Sequence, residues 1–213
     1  MVHFYRTPRA LSLLFNDLMW KISTKDKEVF LTFDDGPIPG LTEYVIEQLN
    51  DYNAKATFFC VGDNIRKYPQ IFKMLIENGH GIGNHTYNHL KAWKVNSNTY
   101  IENVFKCQDI IKDTIGKDEV TLFRPPYGQI TMKLINTLKN DFEIVMWDVL
   151  AYDFSKKHTS EKSLHRTISS TGPGSIIVFH DNYKAEDKLK YMLPRFLSHF
   201  TDSGYKFKKL SNV

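Results

Sequence analysis

The chain lacks the residues that would place it in several common functional classes. It has two cysteines in 213 residues, Cys60 and Cys107, too few for a disulfide framework or a thiolate metal site. Cys60 ends the apolar run "ATFFC" and reads as a small buried residue, and Cys107 falls within a helical pattern. No stretch approaches the roughly 20 apolar residues of a membrane span. There is no arginine-rich run and no nucleic-acid motif, and 28 basic against 24 acidic residues leave only +4, scattered along the chain. Low-complexity linkers and internal repeats are also missing, which argues against a multidomain array. Near the N-terminus, the apolar run at 10–15 is cut by Asn16-Asp17 and no small-residue cleavage site follows. This implies a cytoplasmic chain as sequenced, with the periplasm or cell envelope as the alternative.

What is present is enough apolar and aromatic material, 42% and 14%, for one packed core. The expected organisation is a single catalytic domain over residues 1–213, of which 1–27 form a helical extension. In that extension Leu11, Leu14, Phe15, Leu18, Met19 and Ile22 recur at helical spacing, predicting an amphipathic helix that packs on the domain. Beyond it, β-rich runs at 29–33, 57–61, 81–84, 120–124, 143–149, 175–179 and 205–209 alternate with helical patterns. One helix starts near a Ser97 cap and runs to Gly116. Such alternation predicts a parallel sheet with crossover helices. The fold class is therefore α/β, a distorted or incomplete (β/α) barrel of about seven strands, with an open two-sided sheet as the alternative.

In βα barrels, active sites lie at the C-terminal ends of the strands, and there the sequence is chemically loaded. Asp34 and Asp35 end the first run, in "TFDDGP" (32–37). "GNHTYNHL" follows the third, with His85 and His89 four apart. "RPPYG" (124–128) follows the fourth, Asp153 the fifth, and His180 ends the sixth in "VFHDN". Singly, each has a plainer reading: Asp-Asp-Gly-Pro is a turn, the histidine pair an exposed or packed helical turn, Arg124 a surface ion-pair partner, His180-Asp181 a strand end and helix cap. Together they propose a metal site. Two imidazoles on one side of a helical turn plus a carboxylate suit Zn²⁺ or a similar ion with open positions. One aspartate would be neutralised as a ligand, and the other left free as a general base for a water.

"TFDDGP", "HTYNH", "RPPYG", Asp153-Phe154 and "VFH" occur in the order of five motifs, and over residues 29–181 the chain resembles the polysaccharide deacetylase family. This is carbohydrate esterase family four, with the nodulation-protein-B homology domain. The resemblance implies a distorted (β/α) barrel, a divalent metal (Zn²⁺ first; Co²⁺, Ni²⁺ or Mn²⁺ as alternatives), and removal of acetyl groups from glycans. Carried over by position, it implies Asp34 as general base and Asp35, His85 and His89 as metal ligands. Arg124 would hold the base, the Tyr127 backbone N–H would face the oxyanion, and His180 would be the general acid, kept protonated by Asp153. Phe154, Pro125, Tyr127 and Val178 would line the substrate, and Thr86 would brace the ligand loop. Two departures stand out: Phe154 replaces the usual tryptophan, and Leu150 stands where an aspartate is common. His3, His80, His158, His165 and His199 match no motif position.

The expected reaction is hydrolysis of N-acetyl groups on a peptidoglycan-type or chitin-type polymer or oligosaccharide. Alternatives within the class are O-deacetylation of glycans such as xylan, and deformylase or amidohydrolase action on a soluble or lipid-linked sugar. A non-haem iron oxygenase shares the two-histidine, one-carboxylate set, but does not need the second aspartate, the arginine or the His-Asp pair. An inactive glycan-binding barrel would typically have lost a ligand or the base. The expected partner is a glycan, with no nucleic acid, no obligate protein partner and a monomeric state.

Overall fold

The computed structural model describes residues 5–116 and 120–210; residues 1–4, including His3, lie outside them. In chain order the elements are α1 (Arg9–Leu14), β1 (Glu28–Asp34), α2 (Leu41–Asp51), β2 (Ala56–Cys60), α3 (Gly62–Lys67), α4 (Pro69–Glu77), β3 (Gly81–Asn84), α5 (Ser97–Ile115), β4 (Leu122–Phe123), α6 (Met132–Leu138), β5 (Glu143–Ile144), β6 (Val149–Leu150), α7 (Ser160–Ser170), β7 (Ile176–His180), α8 (Glu186–Asp202) and β8 (Lys206–Phe207). The strand order is β5-β4-β3-β2-β1-β7-β6, with β8 beside the start of β1, and every pairing is parallel. The sheet curls into a distorted (β/α) barrel. Among the described residues no helix is long and apolar enough to cross a membrane.

Strand β1 explains the layering. Val29, Leu31 and Phe33 pack into the cluster shared with the outer helices, alongside Val45, Leu193 and Phe196. Phe30 belongs instead to an inner cluster with Phe59, Leu122, Val145 and Ile176. Side chains alternate between faces with period two, so Thr32 and Asp34 share the barrel interior with Phe30. Helix ends follow local chemistry. Asn96, rather than Ser97, caps α5 by accepting from the Thr99 N–H at 3.0 Å, and Gly116 ends it in a left-handed conformation.

The run at 143–149 is not one strand. It pairs with β4 at its start and with β7 at its end, and the four residues between belong to neither ladder. β5 and β6 are the two ends of the sheet order, so a link of at most roughly 17 Å joins opposite edges. That link forces the sheet to curl. Part of the gap is filled by the N-terminal segment: Met19 accepts from the Met146 N–H and donates to the Ile144 carbonyl, while the Ile22 N–H donates to Gly174.

The predicted N-terminal helix is therefore shorter than its periodicity. It covers six residues, buries none of them, and leaves Leu11, Leu13 and Leu14 exposed. From Leu18 the chain is extended, because there it gains ladder hydrogen bonds and buries Leu18 and Trp20 against α6 and β5.

Candidate active site

Asp34 is the last residue of β1, directed into the barrel and 4% exposed. Its Oδ1 receives Arg124 Nη1 at 2.7 Å. Among the described residues Oδ2 accepts no hydrogen bond. Arg124 is fully buried, so this is a charge-assisted contact away from water. The same Nη1 reaches Thr32 Oγ1 at 2.7 Å, Nε donates to the Val145 carbonyl, and Nη2 donates to the Met146 carbonyl. The guanidinium also stacks over the Phe59 ring at 4.0 Å. Burial lowers the Arg124 pKa and the Asp34 charge opposes that; an arginine held this way stays cationic.

Asp35 leaves the strand at φ 85°, a conformation costing roughly 1–3 kcal/mol for a residue with a side chain. Asn64 Nδ2 holds its carbonyl at 2.7 Å and Asn182 Nδ2 holds its Oδ2. The twist aims Oδ1 away from Asp34, toward two imidazoles: His89 Nε2 at 3.0 Å and His85 Nε2 at 3.6 Å. Asp35 Oδ1 is buried yet receives no hydrogen bond of acceptable geometry. Burial alone would raise the Asp35 pKa; His85 and His89 hold it well below the usual carboxylate range.

His85 Nδ1 lies 2.7 Å from the Arg124 carbonyl, so this nitrogen carries the proton and Nε2 keeps its lone pair. His89 Nδ1 lies 3.1 Å from the Tyr127 hydroxyl. The ligand atoms of Asp35, His85 and His89 lie within 4.8 Å of one another. An orphaned buried carboxylate oxygen facing two imidazole nitrogens is the donor set of a divalent-metal site, and the residues fit such an ion.

The two histidines are not on a helical turn, contrary to the sequence-based expectation. His85 follows β3, and the left-handed Thr86 (φ 65°) and His89 (φ 57°) turn the loop back on itself. Thr86 is buried and its Oγ1 accepts from the Leu90 N–H at 3.2 Å, which braces this loop.

Across the cleft, His180 ends β7. Its Nδ1 meets Asp153 Oδ1 at 2.8 Å, and its backbone N–H donates to Asp153 Oδ2 at 2.6 Å. Burial alone would lower the His180 pKa, but the Asp153 carboxylate, with Asp35 and Asp34 beyond, outweighs it and lifts the value to about 9. Phe154 meets the His180 ring edge-on at 5.0 Å.

Asp34, Asp35, His85, His89 and His180 line one cleft of about 490 Å³, with Tyr127, Val178, Phe154 and Leu150 in its walls, while Arg124 and Asp153 are buried behind it. Tyr127 has φ 61° and is 54% exposed. Its backbone N–H makes no hydrogen bond among the described residues. Pro125 is buried and does not line the cleft. His80, His158, His165 and His199 lie outside it.

Sequence reasoning passed over several residues. Asn182 grips Asp35, Trp147 and Lys184 line the cleft, and Asp181 accepts from the Gly36 N–H at 3.1 Å and the Thr42 hydroxyl at 2.6 Å. Burial pushes the Asp181 carboxyl up to about 8. The signal was in "FHDN", where His180-Asp181 read as a strand end and helix cap.

Comparison with known proteins gives consistent relatives. The polysaccharide deacetylase family model matches residues 21–142. A Bacillus cereus peptidoglycan-N-acetylglucosamine deacetylase is 39% identical over 72% of this chain and 55% of its own length. A Bacillus subtilis peptidoglycan-N-acetylmuramic acid deacetylase, PdaC, is 30% identical over 90% of this chain and 40% of its own. The chain thus spans about half the length of these two curated relatives. The crystal structure of the Bc1960 peptidoglycan N-acetylglucosamine deacetylase, in complex with a naphthyl N-hydroxybenzamide, superposes with a TM-score of 0.86 at 30% identity. That match covers 96% of this chain and 95% of the other.

Proposed function

Because the chain belongs to the polysaccharide deacetylase family, we propose that it is a metal-dependent hydrolase that removes N-acetyl groups from amino sugars of a peptidoglycan-type or chitin-type glycan. One observation carries this reading: a free carboxylate oxygen on Asp34, the Asp35–His85–His89 donor set and His180, held from behind by Asp153, face one cleft. Asp35, His85 and His89 would hold the ion, and one carboxylate with two imidazoles favours Zn²⁺. When bound, a divalent ion lowers the pKa of a coordinated water and polarises the amide carbonyl.

The chain's own groups do the rest. Asp34 Oδ2 takes the proton of the attacking water, while Arg124 keeps Oδ1 occupied and the carboxylate in place. The unused Tyr127 N–H donates to the amide oxygen as it gains charge. Asp153 fixes Nδ1 of His180, leaving Nε2 to protonate the departing amine nitrogen; amide cleavage fails unless that nitrogen leaves as a neutral amine. Phe154, Leu150 and Val178 give the acetyl methyl an apolar wall that sheds water.

The test is acetate release from N-acetylglucosamine oligomers and peptidoglycan fragments after chelation and after adding back Zn²⁺, Co²⁺, Ni²⁺ or Mn²⁺. Release that chelation abolishes and one of these ions restores is expected. No release from any N-acetylated glycan with any of them would sink the reading.

A further inference from the structure

Helix α1 is seated the wrong way round for a helix that packs on a domain. At about 100° per residue, Leu13, Ala10, Leu14 and Leu11 share one arc of roughly 160°. All four are exposed, Leu13 at 67% and Leu14 at 73%. The one residue of α1 that is partly sheltered is polar: Ser12, whose hydroxyl donates to the Arg9 carbonyl at 3.0 Å. A surface helix ordinarily turns its apolar arc inward. This pose is fixed on both sides. Before the helix, the Thr7 N–H donates to the Asp148 carbonyl at 2.8 Å and its Oγ1 to the Trp147 carbonyl at 2.7 Å. After it, Trp20 Nε1 donates to the Phe15 carbonyl at 2.9 Å. Contiguous leucines held outward mark an interaction surface.

Cations stand beside the arc. Arg9, one turn before Leu13, lines a cavity of about 560 Å³ together with Arg6 and Lys21. The acid in that cavity, Asp148, is already engaged: Arg6 Nε meets its Oδ1 at 3.1 Å, and Ser175 Oγ donates to its Oδ2 at 2.6 Å. Among the described residues Arg9 and Lys21 make no salt bridge.

This pairing selects the occupant. The leucines call for an apolar phase and the cavity for an anion, and phospholipid supplies both within one layer. An acidic peptide or free phosphate would use the cavity and leave the leucines in water. A second copy packed arc against arc would set these cations against their own kind.

We propose that α1 and its flanking cations form a docking surface for an anionic phospholipid bilayer, with Leu11, Leu13 and Leu14 at the acyl boundary and Arg6, Arg9 and Lys21 on the phosphates. The arc is short, so docking is weak and reversible, on the order of 10⁴ M⁻¹, as for one myristoyl chain. Leu11 also lines a groove with Tyr127, a wall of the metal cleft, so docking sets the cleft beside the headgroups. Docking requires no deacetylase activity, and a failed activity assay leaves it standing.

The test sediments the whole chain with sucrose-loaded phosphatidylcholine vesicles, with and without about one-third phosphatidylglycerol. Wild type should bind the anionic vesicles, bind the neutral ones at least about five-fold more weakly, and be released as salt rises. Leu13→Ser/Leu14→Ser and Arg9→Gln/Lys21→Gln should each lose roughly ten-fold or more. These side chains bury nothing in the fold, so urea midpoints should not move. No wild-type binding to anionic vesicles, equal binding to neutral ones, or binding that survives the leucine substitutions overturns the proposal. Release by inorganic phosphate beyond that by sodium chloride of equal ionic strength would reduce the site to a free-phosphate pocket. A dimer in sedimentation velocity that the leucine substitutions dissolve, without vesicle binding, would put a second copy on the arc instead.

Discussion

The Asp181 carboxylate fills the space beside Gly36: a Cβ on residue 36 would stand 2.0 Å from its Oδ2. The close approach lets Asp181 accept the Gly36 N–H and so fix the chain immediately after the two aspartates. Gly36→Ala must displace a carboxylate that Thr42 also holds, and should cost roughly 1–3 kcal/mol in urea denaturation. The displaced turn carries Asp35, so metal affinity should fall with stability. An unchanged midpoint and unchanged metal content would show that the turn tolerates the methyl group.

Adjacent aspartates with different surroundings should fail differently. Asp34→Asn removes the free basic oxygen but leaves Asp35, His85 and His89 in place; acetate release should drop by about 10² or more with metal content intact. Asp35→Asn removes the anionic ligand and should lower both. Metal analysis alongside turnover separates the two. Equal metal loss in both variants would contradict the division of roles.

The His180–Asp153 pair sets an expected alkaline limit. His180 acts as a proton donor only while protonated, and the Asp153 carboxylate keeps its pKa raised to about 9. With the charge gone in Asp153→Asn, burial acts unopposed by that partner and the alkaline limb of kcat/KM should move to lower pH by at least roughly one unit. A limb that stays in place would assign the limiting ionisation to another group.

At the opposite end of the sheet, His80 is buried beside the Phe58 ring, and its Nδ1 lies 3.4 Å from the Ala56 N–H. Burial, with Lys55 and Lys209 nearby, lowers its pKa from 6.5 to about 4. The unfolded chain therefore binds a proton that the folded chain refuses between those values. Stability from this group is complete above pH 6.5, falls as the pH drops toward 4, and is level below, a total of roughly 3 kcal/mol. Asp181, raised to about 8, acts oppositely, stabilising the fold more at low pH. The informative quantity is thus the difference between wild type and His80→Leu in urea midpoints from pH 7 to 4. It should widen in favour of the variant as the pH falls; a constant difference would refute the burial argument.

Much of the proposed catalytic set was legible in the sequence because Asp34, His85, Arg124 and His180 fall at the ends of β runs, where strand pattern and residue chemistry coincide. Asp34, His85, Arg124 and His180 needed no knowledge of strand order to be picked out. Partner choice was not legible. The apolar alternation at 143–149 marks extended chain, yet says nothing of a change from β4 to β7 midway. The leucines at 11 and 14 and the apolar residues to Ile22 satisfy a helical period, but tertiary ladder bonds at Met19 and Ile22 override it. The left-handed backbone at Thr86 and His89 leaves no mark on side chains that prefer other conformations. Asp181 and Asn182 were hidden by adjacency, since one short stretch serves as strand end, helix entry and scaffold for the opening aspartates.

Arg124 divides its donors between two tasks. Nε and Nη2 tie off carbonyls of the link that joins the sheet's opposite edges, while Nη1 steadies Asp34. A descendant that abandoned hydrolysis would still need the guanidinium to keep the barrel shut. Among diverged copies of this sequence, retention of the arginine therefore says little about turnover. On the proposed roles, the residues free to drift once catalysis stops mattering are Asp34 and His180, and those are the positions where a silent copy would first betray itself.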